Sequence, residues 1–256
     1  MKTLLLWLEG PLQSWGHDSQ FDRRDTLPFP TFSGICGMLC AALGAGGPQT
    51  ELLSRLSKAK WECQSFILDK KTPSPMLVDF QGVGNGYDGK DPWENLFIPK
   101  TDEGKKPAMV TGSKLTYRFY LQSATFSVYL SFGDEELANT LFNALKSPVW
   151  ALSLGRKNCV PSEIIPQGLF DTAEEAKKEA VSLAERKNRK LQFTVTEEEI
   201  PEKGTVMLLN DVPVSFGVMK KYRDRVVTVI PATRVCNFLW AARSRLIDVG
   251  GDSVTK

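Results

Sequence analysis

One stretch of the chain, residues 10–44, gathers the types of side chain that proteins use to hold a phosphate backbone. Its first loop carries Trp15, at a position that the polar surroundings predict to be exposed, and then the charged run Asp-Arg-Arg-Asp at 22–25. Guanidinium groups bind phosphate oxygens as paired donors, and neighbouring carboxylates fix their geometry. We therefore expect Arg23 or Arg24 to contact a phosphate, with a solvated loop of local ion pairs as the alternative.

A second stretch, residues 152–162, has a related character. It reads LSLGRKNCVPS, a glycine turn followed by adjacent basic residues and small polar ones. We expect it to be the partner of the first stretch in one binding region.

The totals of the sequence limit the classes of protein to consider. The chain has 256 residues, of which 42% are apolar and 24% charged, as in a globular protein with a substantial core. That length predicts one domain with an extension, or two small domains. The net charge is +2, so an interaction with nucleic acid must rest on local patches and not on the whole chain.

Secretion, membrane insertion and metal binding find no support in the sequence. The apolar run at residues 4–8 ends at Glu9 without a cleavage site, so it is too short for a signal peptide. No stretch reaches the roughly 18 apolar residues that span a membrane, and we expect a cytoplasmic protein. The five cysteines form no CxxC pair and the chain has one histidine, so no metal or cofactor is predicted.

The first elements are a strand and a helix around the basic loop. Residues 3–9 are almost continuously apolar, which predicts a strand covered on both faces. The helix predicted at 34–43 contains glycine and alanine at intervals, and Thr31 or Ser33 can cap it. Because glycine costs about 1 kcal/mol against alanine in a helix, the pattern indicates close approach by another group. That group is either a nucleic-acid backbone at the helix N-terminus or a tightly packed sheet.

Residues 71–112 differ from their surroundings, because glycine, proline, aspartate and lysine dominate and no periodicity is visible. A segment this long inside a compact domain is unusual. We expect a long mobile hairpin or flap that orders on a partner, the alternative being a disordered insertion.

Residues 114–132 form the clearest strand pattern, with apolar residues alternating with polar and basic ones. Basic and aromatic residues on an open sheet face are how RNA-recognition folds stack and neutralise RNA, whereas the alternative is an ordinary exposed face. The residues expected on the open face are Lys114, Arg118, Tyr120 and Gln122.

The remaining elements complete an α+β order of strand, helix, strand, insertion, strand, helix, strand, which is that of a ferredoxin-like fold. The second helix is predicted at 134–145, and the last strand of this order at 150–154. A charged helix and three further strands follow, at 172–187, 191–195, 205–209 and 225–230. Between residues 220 and 245 seven basic residues accompany one acid, which predicts a local positive patch.

Four blocks, taken in order, resemble the CasD family, the fifth family of CRISPR-associated subunits, and are most similar to those of type I-E systems (Cascade). The blocks cover about the first 165 residues and read GPLQSWG, FPTFSGICGMLCAALG, YRFYLQSATFSVYL and SPVWALSLGRKNCVPS. The resemblance implies a modified RNA-recognition, ferredoxin-like domain over residues 1–165, with a β-hairpin thumb at about 71–112. Residues 166–256 would then form a smaller C-terminal part, a helix plus a β-rich extension with a basic tail.

The resemblance also implies a role and partners. The chain would bind the 5′ handle of the CRISPR RNA, cap the filament of backbone subunits and dock the large subunit that reads the PAM, and it would contact target DNA mainly indirectly. A single-stranded handle can be read on base edges, stacked on an aromatic ring and fixed through its phosphates. The positions that the resemblance assigns to RNA binding are Gln13, Ser14, Trp15, Arg24, Ser33, Lys114, Arg118, Gly155, Arg156, Lys157, Asn158 and Cys159.

One branch of the family, in type I-C systems, cleaves the repeat RNA without metal, using a Tyr, a Lys and a His. Such cleavage requires a general base, a general acid and a cation near the phosphorane. The constellation available is Tyr117 or Tyr120 with Lys114 and His17, although His17 is remote from that strand in sequence. We expect no catalysis, with a metal-independent endoribonuclease as the alternative. A small-ligand enzyme built on the glycine-rich helix start is a third reading that lacks a catalytic cluster.

Overall fold

The computed structural model describes residues 1–17, 19, 22–68, 76–83, 91–93 and 114–232. These residues form a mixed α+β structure with two sheets and four helices. The strands are β1 (Lys2–Glu9), β2 (Leu12–Gln13), β3 (Arg23–Arg24), β4 (Lys60–Leu68), β5 (Leu77–Val83), β6 (Lys114–Gln122), β7 (Thr125–Phe132), β8 (Pro166–Phe170), β9 (Arg189–Thr196), β10 (Thr205–Ser215) and β11 (Lys221–Pro231). The helices are α1 (Phe32–Leu43), α2 (Thr50–Leu56), α3 (Glu135–Lys146) and α4 (Ala173–Arg186). None of these four helices has the length and apolarity that a membrane crossing requires.

The larger sheet contains seven strands in the order β10-β11-β9-β4-β7-β1-β8, and all neighbours are antiparallel. Strands β9, β11 and β10 therefore extend the sheet that the N-terminal strands begin. Strands from both sides of residue 165 therefore belong to one sheet. Whether the chain divides into two domains at this residue stays a prediction.

Strand β1 is buried on both faces, as its continuous apolar run predicted. Leu4, Leu6 and Leu8 pack into the main core with α1 and α3, whereas Leu5 and Trp7 contact small residues of α4 on the opposite face. Burial of a Leu side chain stabilises the fold by roughly 1.5–3 kcal/mol. The α4 residues that receive them are Ala176, Ala180 and Ala184.

Residues 114–132 were predicted to be one strand region, and the structure divides them into two strands, β6 and β7. Ser123 between them adopts φ +49°, and its N–H donates to the Pro11 carbonyl. The break sends β6 into a second, smaller sheet with β2, β3 and β5. Strand β7 stays in the large sheet and is buried along its whole length, so residues 114–132 do not form one half-exposed strand.

The expected faces of β6 are also corrected. Tyr120, predicted on the open face, is 1% exposed, and Tyr117, predicted on the buried face, is 44% exposed. Tyr120 is buried because Arg156 stacks on its ring and Asn158 donates to its hydroxyl. Both residues belong to a loop that is distant in sequence, so the alternation within β6 could not reveal them.

Strand β5 lies within the insertion predicted at 71–112 and pairs antiparallel with β6, from Leu77 opposite Tyr120 to Val83 opposite Lys114. The described part of the insertion is thus one strand of a ribbon. The other residues of the predicted hairpin, apart from 91–93, lie outside the described residues.

Helix α1 begins where its cap was predicted. The Thr31 hydroxyl accepts the Gly34 N–H at 3.1 Å, and the helix ends at Gly44, which adopts φ +68°. The strand predicted at 150–154 is wrong, because these residues form no strand and the next strand after α3 is β8. The Leu154 backbone instead bonds Ser14 and Cys159 and so belongs to an irregular loop.

Candidate nucleic-acid interface

A groove of about 980 Å³ runs over one face of α1. Ser33, Gly34, Gly37 and Ala41 supply its floor. These residues fall on one side of the helix, and their small size keeps the floor shallow and open. The loops of the two basic stretches line one side of the groove, and residues of the β10–β11 hairpin also line it.

The two stretches that the sequence paired do lie against each other. The Ser14 N–H donates to the Leu154 carbonyl at 3.1 Å. The Arg156 guanidinium donates through Nη2 to the Arg24 carbonyl at 2.7 Å. These bonds hold the turn at 155–159 beside Ser14 and Arg24, so the two stretches are neighbours, and their shared binding role stays a prediction.

Gly155 is the closest point of this contact. Its φ is +89°, and a Cβ at this position would lie 1.8 Å from the Ser14 carbonyl oxygen. Only glycine fits both the left-handed backbone and the approach. Its role is therefore to bring the two loops together.

The groove is cationic. Among the described residues that line it, four are basic and none is acidic. The basic residues are Arg24, Arg156, Lys157 and Lys220. Such a cleft attracts and holds an extended polyanion.

The choice between Arg23 and Arg24 is resolved by their partners. Arg23 forms an ion pair with Asp25 at 2.9 Å and stacks on Phe119 with 4.6 Å between guanidinium and ring centroid. Arg24 is exposed and lines the groove. Arg24 is thus the better placed of the two to meet a ligand phosphate.

Arg156 is half-buried and connects several parts of the site. Its guanidinium lies 4.9 Å from the centroid of the Tyr120 ring, and Nη2 bonds the Arg24 carbonyl. Its Nη1 is buried and has no hydrogen-bond partner within the described part of the chain. A buried donor is normally paired, so Nη1 is an unsatisfied donor among the described residues.

Trp15 is not an exposed stacking platform, and that prediction was wrong. Its side chain is 0% exposed, and its Nε1 donates to the Gln13 side chain at 3.0 Å. Gln13 is equally buried and donates to the carbonyls of Leu8 and Ala124. Both side chains are used inside the protein, where they fix the course of the loop.

The other small polar residues of the predicted site also serve the local structure. The Ser14 hydroxyl donates to the Phe119 carbonyl at 3.0 Å, and Asn158 donates to the Tyr120 hydroxyl at 3.1 Å. Cys159 is buried, and that burial raises the pKa of its thiol. Ser33 lines the groove and bonds Thr31 at 3.4 Å.

Two predicted basic residues lie on β6. Arg118 is half-buried and pairs in parallel register with Arg24 of β3, beside the groove. The backbone of Lys114 lies four residues from Arg118 along β6, a distance of roughly 13 Å by the usual rise of a strand. The side chain of Lys114 lies outside the described residues. The structure thus brings Arg118, but not the Lys114 backbone, towards the groove.

Exposed aromatic rings line the groove where sequence reasoning did not place them. Trp150 is 49% exposed and follows α3, with its N–H bonded to the Ala41 carbonyl at the end of α1. Tyr222 of β11 is 36% exposed, and partial burial raises the pKa of its phenol. The basic run around residue 220 was the one sequence signal that pointed to Tyr222.

The N-terminus of α1 already holds an anion, the carboxylate of Asp211. Asp211 is 2% exposed and accepts the Phe32 N–H at 2.8 Å and the Arg225 guanidinium at 2.6 Å. The expectation that a nucleic-acid backbone approaches these amides is therefore corrected. Arg225 is buried in this network and also contacts Glu197, so it is not part of an exposed basic patch.

The residues proposed for RNA cleavage are not assembled where the structure describes them. His17 lines a cavity of about 680 Å³ next to the groove, together with Asp211 and Tyr222. Tyr120 is buried under Arg156, and Tyr117 stacks on Phe80 of β5 with 5.2 Å between ring centroids. The described residues also contain no cluster of His, Cys, Asp and Glu side chains that could hold a metal ion.

The fold and the groove define an α+β protein with a cationic cleft suited to an extended polyanion. A family model described as CRISPR-associated protein (Cas_Cas5) matches residues 3–230. The chain belongs to this CRISPR-associated Cas5 family, which confirms the resemblance found in the sequence.

Individual relatives agree with the family. The CRISPR system Cascade subunit CasD of Escherichia coli (strain K12) is 30% identical over 162 residues. That match covers 61% of this chain and 66% of the relative, just under two thirds of its length. A solved structure described as a CRISPR RNA-guided surveillance complex contains a similar chain with a TM-score of 0.66 and 27% identity, covering 90% of this chain and 89% of the other. A crystal structure of a Cas protein has a TM-score of 0.56 and 28% identity, covering 90% and 95%.

Proposed function

We propose that this chain is a subunit of a type I CRISPR surveillance complex and that its groove holds the 5′ handle of the CRISPR RNA. The observation that carries the proposal is the groove itself, with four basic residues and no acidic one among its described lining. The relatives named above are a Cascade subunit and a chain of an RNA-guided surveillance complex. An extended, single-stranded polyanion is the ligand that such a groove fits.

The roles of the predicted residues follow from their surroundings. Arg24 and Lys157 are exposed in the groove and neutralise phosphates, with Arg118 beside them and the half-buried Arg156 lining the same groove. Trp150 takes the stacking role that the sequence had given to Trp15. Stacking of one base on an aromatic ring contributes roughly 1–3 kcal/mol.

The remaining members of the predicted set support the binding loops from within. Their hydrogen bonds and burial set the positions of the two loops, so their contribution to RNA binding is indirect. These residues are Gln13, Ser14, Trp15, Gly155, Asn158 and Cys159. Ser33, on the groove floor, is placed to contact RNA directly, and Lys114 stays a prediction.

The proposed partners are proteins as well as RNA. The subunit caps the filament of backbone subunits, docks the large PAM-reading subunit and meets target DNA mainly indirectly. The β5–β6 ribbon supports a protein contact, because Val78, Phe80 and Tyr117 on one face are 48%, 56% and 44% exposed. An exposed apolar patch of this kind is typical of an interaction site.

The fold supports an RNA-recognition, ferredoxin-like assignment. The order β1, α1, β4, β7, α3, β8 is strand-helix-strand-strand-helix-strand, and the four strands lie side by side as β8-β1-β7-β4. Strands β9, β11 and β10 then extend this four-stranded unit beyond β4. The four described cysteines are unpaired and buried, which fits a reducing, cytoplasmic environment.

We assign the chain no catalytic step. A test uses the purified full chain with labelled repeat RNA in EDTA, followed on native and denaturing gels. Binding without cleavage is the expected result, and Arg24→Ala with Lys157→Ala should weaken it. Lys178→Ala is the matched control, because Lys178 is an exposed lysine on α4, across the sheet from α1. Equal binding by the double variant and the control would overturn the proposal, and discrete shorter products would favour the endoribonuclease.

A further inference from the structure

The β10–β11 hairpin follows α1 from one end to the other. At the start of the helix, Asp211 of β10 accepts the Phe32 N–H. Beyond the other end of the helix, the Phe216 N–H donates to the Pro48 carbonyl at 2.9 Å. From Asp211 to Phe216 an extended chain spans roughly 17 Å, which matches the roughly 18 Å of a helix with twelve residues. The hairpin therefore flanks the groove floor over its whole length.

Alternate side chains of this hairpin face the groove. Lys220 and Tyr222 line it, whereas Lys221 and Arg223 are exposed but do not line it. Within β11, successive side chains point to opposite faces, so Tyr222 faces away from Lys221 and Arg223. Lys220 lines the groove from the loop that directly precedes β11. One face thus presents a cation and an aromatic ring to the groove, and the other presents two cations away from it.

We propose that the β10–β11 hairpin is the second wall of the RNA site, with Tyr222 stacking on a base and Lys220 contacting a phosphate. This inference rests on the proposed function, and it adds a wall that is separate in sequence from both basic stretches. Tyr222 is 36% exposed, so part of its side chain is accessible to a ligand in the folded protein. Its phenol is neutral at physiological pH, because the ordinary pKa of a tyrosine is about 10 and partial burial raises it further, so an anionic ligand is not repelled.

The chemistry of the wall favours single-stranded RNA over a folded protein partner. An aromatic ring next to a cation suits alternating bases and phosphates, since every base has a face that can stack. The groove floor at Gly37 is open to a ligand, because no atom lies within 4 Å of a Cβ built on this residue. A nucleotide backbone can therefore approach α1 between Tyr222 on the hairpin and Trp150 on the loop after α3.

The experiment measures binding of a fluorescently labelled single-stranded RNA that carries the repeat-derived 5′ handle to the purified full chain. We expect Tyr222→Ala to weaken binding by about tenfold, as loss of one stacking contact does, and Tyr222→Phe to restore it. We expect Lys220→Ala to lower the slope of log affinity against log salt by about 0.7, the value for one phosphate contact on a single strand. Tyr222→Ala should leave that slope unchanged.

Matched controls come from the other face of the same hairpin. Lys221→Ala and Arg223→Ala each remove one exposed positive charge from the neighbouring positions, and we expect the affinity and the salt slope of wild type. If Tyr222→Ala and Lys220→Ala bind like these controls while Arg24→Ala and Lys157→Ala bind weakly, the second wall is wrong and the proposed function stands. If none of these variants weakens binding, the proposed function itself fails.

Discussion

Gly155 and Ser14 lie so close together that a single methyl group on Gly155 would overlap the Ser14 carbonyl, at 1.8 Å. This contact joins two loops that are about 140 residues apart in the chain, and it sets one side of the cationic groove. The groove therefore depends on a backbone approach as much as on the basic side chains that line it.

Replacement of Gly155 by alanine should disrupt this contact. The new Cβ would meet backbone, and the left-handed φ of +89° is unfavourable for alanine. We expect a loss of at least about 2 kcal/mol in the free energy of unfolding, measured by urea denaturation, together with weaker RNA binding. Gly37→Ala is the control, because its Cβ meets nothing within 4 Å and helix propensity predicts a gain of up to about 1 kcal/mol. Equal stability of the two variants would refute the role given to Gly155.

Arg156 and Lys157 are neighbours with different tasks, and single variants should separate them. Arg156→Ala removes the bond to the Arg24 carbonyl and the contact with Tyr120, so we expect lower stability and weaker RNA binding. Lys157→Ala removes an exposed charge, so we expect unchanged stability and a salt slope lower by about 0.7. Thermal denaturation and binding titrations over a range of salt concentrations check both. A Lys157→Ala protein that melts earlier than wild type would contradict the division of roles.

Asp211 and Arg225 anchor the β10–β11 hairpin to the start of α1. Asp211→Ala leaves the Phe32 N–H without its acceptor and leaves the Arg225 guanidinium with Glu197 as its remaining carboxylate partner. Removal of one member of a buried ion pair destabilises a protein by about 3–5 kcal/mol, and the Glu197 contact should keep the loss at the lower end of this range. Asp211→Asn keeps one acceptor for Phe32 and should lose less. Urea denaturation measures both losses. The double variant Asp211→Leu with Arg225→Met should be more stable than Asp211→Ala, because it also removes the buried positive charge that Asp211 neutralises, and the opposite order would contradict this account.

The β5–β6 ribbon predicts how the insertion can be shortened. Val83 and Lys114 are paired in register, so replacement of residues 84–113 by Asn-Gly, a favoured two-residue hairpin turn, should keep the ribbon. We expect the shortened chain to keep its melting temperature and its affinity for handle RNA but to co-purify poorly with the backbone subunits. Undiminished assembly of the complex would refute the thumb role of the insertion.

The sequence predicted correctly those features that leave a short, recognisable pattern of residues. Thr31 could be identified as a helix cap because a hydroxyl there accepts a nearby N–H, and β1 because its apolar run has no break. The glycine turn before Arg156 and Lys157 signalled a second loop of the site. For the cap, the deciding hydrogen bond joins residues three positions apart.

The predictions from sequence were wrong where residues distant in the chain determine whether a side chain is buried or exposed. Trp15 lies in a polar stretch of the sequence, but its indole packs against α1. The packing is so close that a Cβ on Gly34 would lie 2.8 Å from the indole ring. Tyr120 alternates like an open-face residue and is buried by Arg156. Tyr222 reaches the groove only because β10 and β11 extend the large sheet. A single sequence shows none of these long-range contacts.

The central claim, that the RNA handle lies in the groove over α1, is tested most directly by photo-crosslinking. The full chain is irradiated with handle RNA containing photo-reactive uridines, and mass spectrometry identifies the crosslinked peptides. The account predicts crosslinks to Trp150, to the turn at 155–157 and to Tyr222, all of which disappear with excess unlabelled handle RNA. Specific crosslinks confined to α4 or to the β5–β6 ribbon would contradict it.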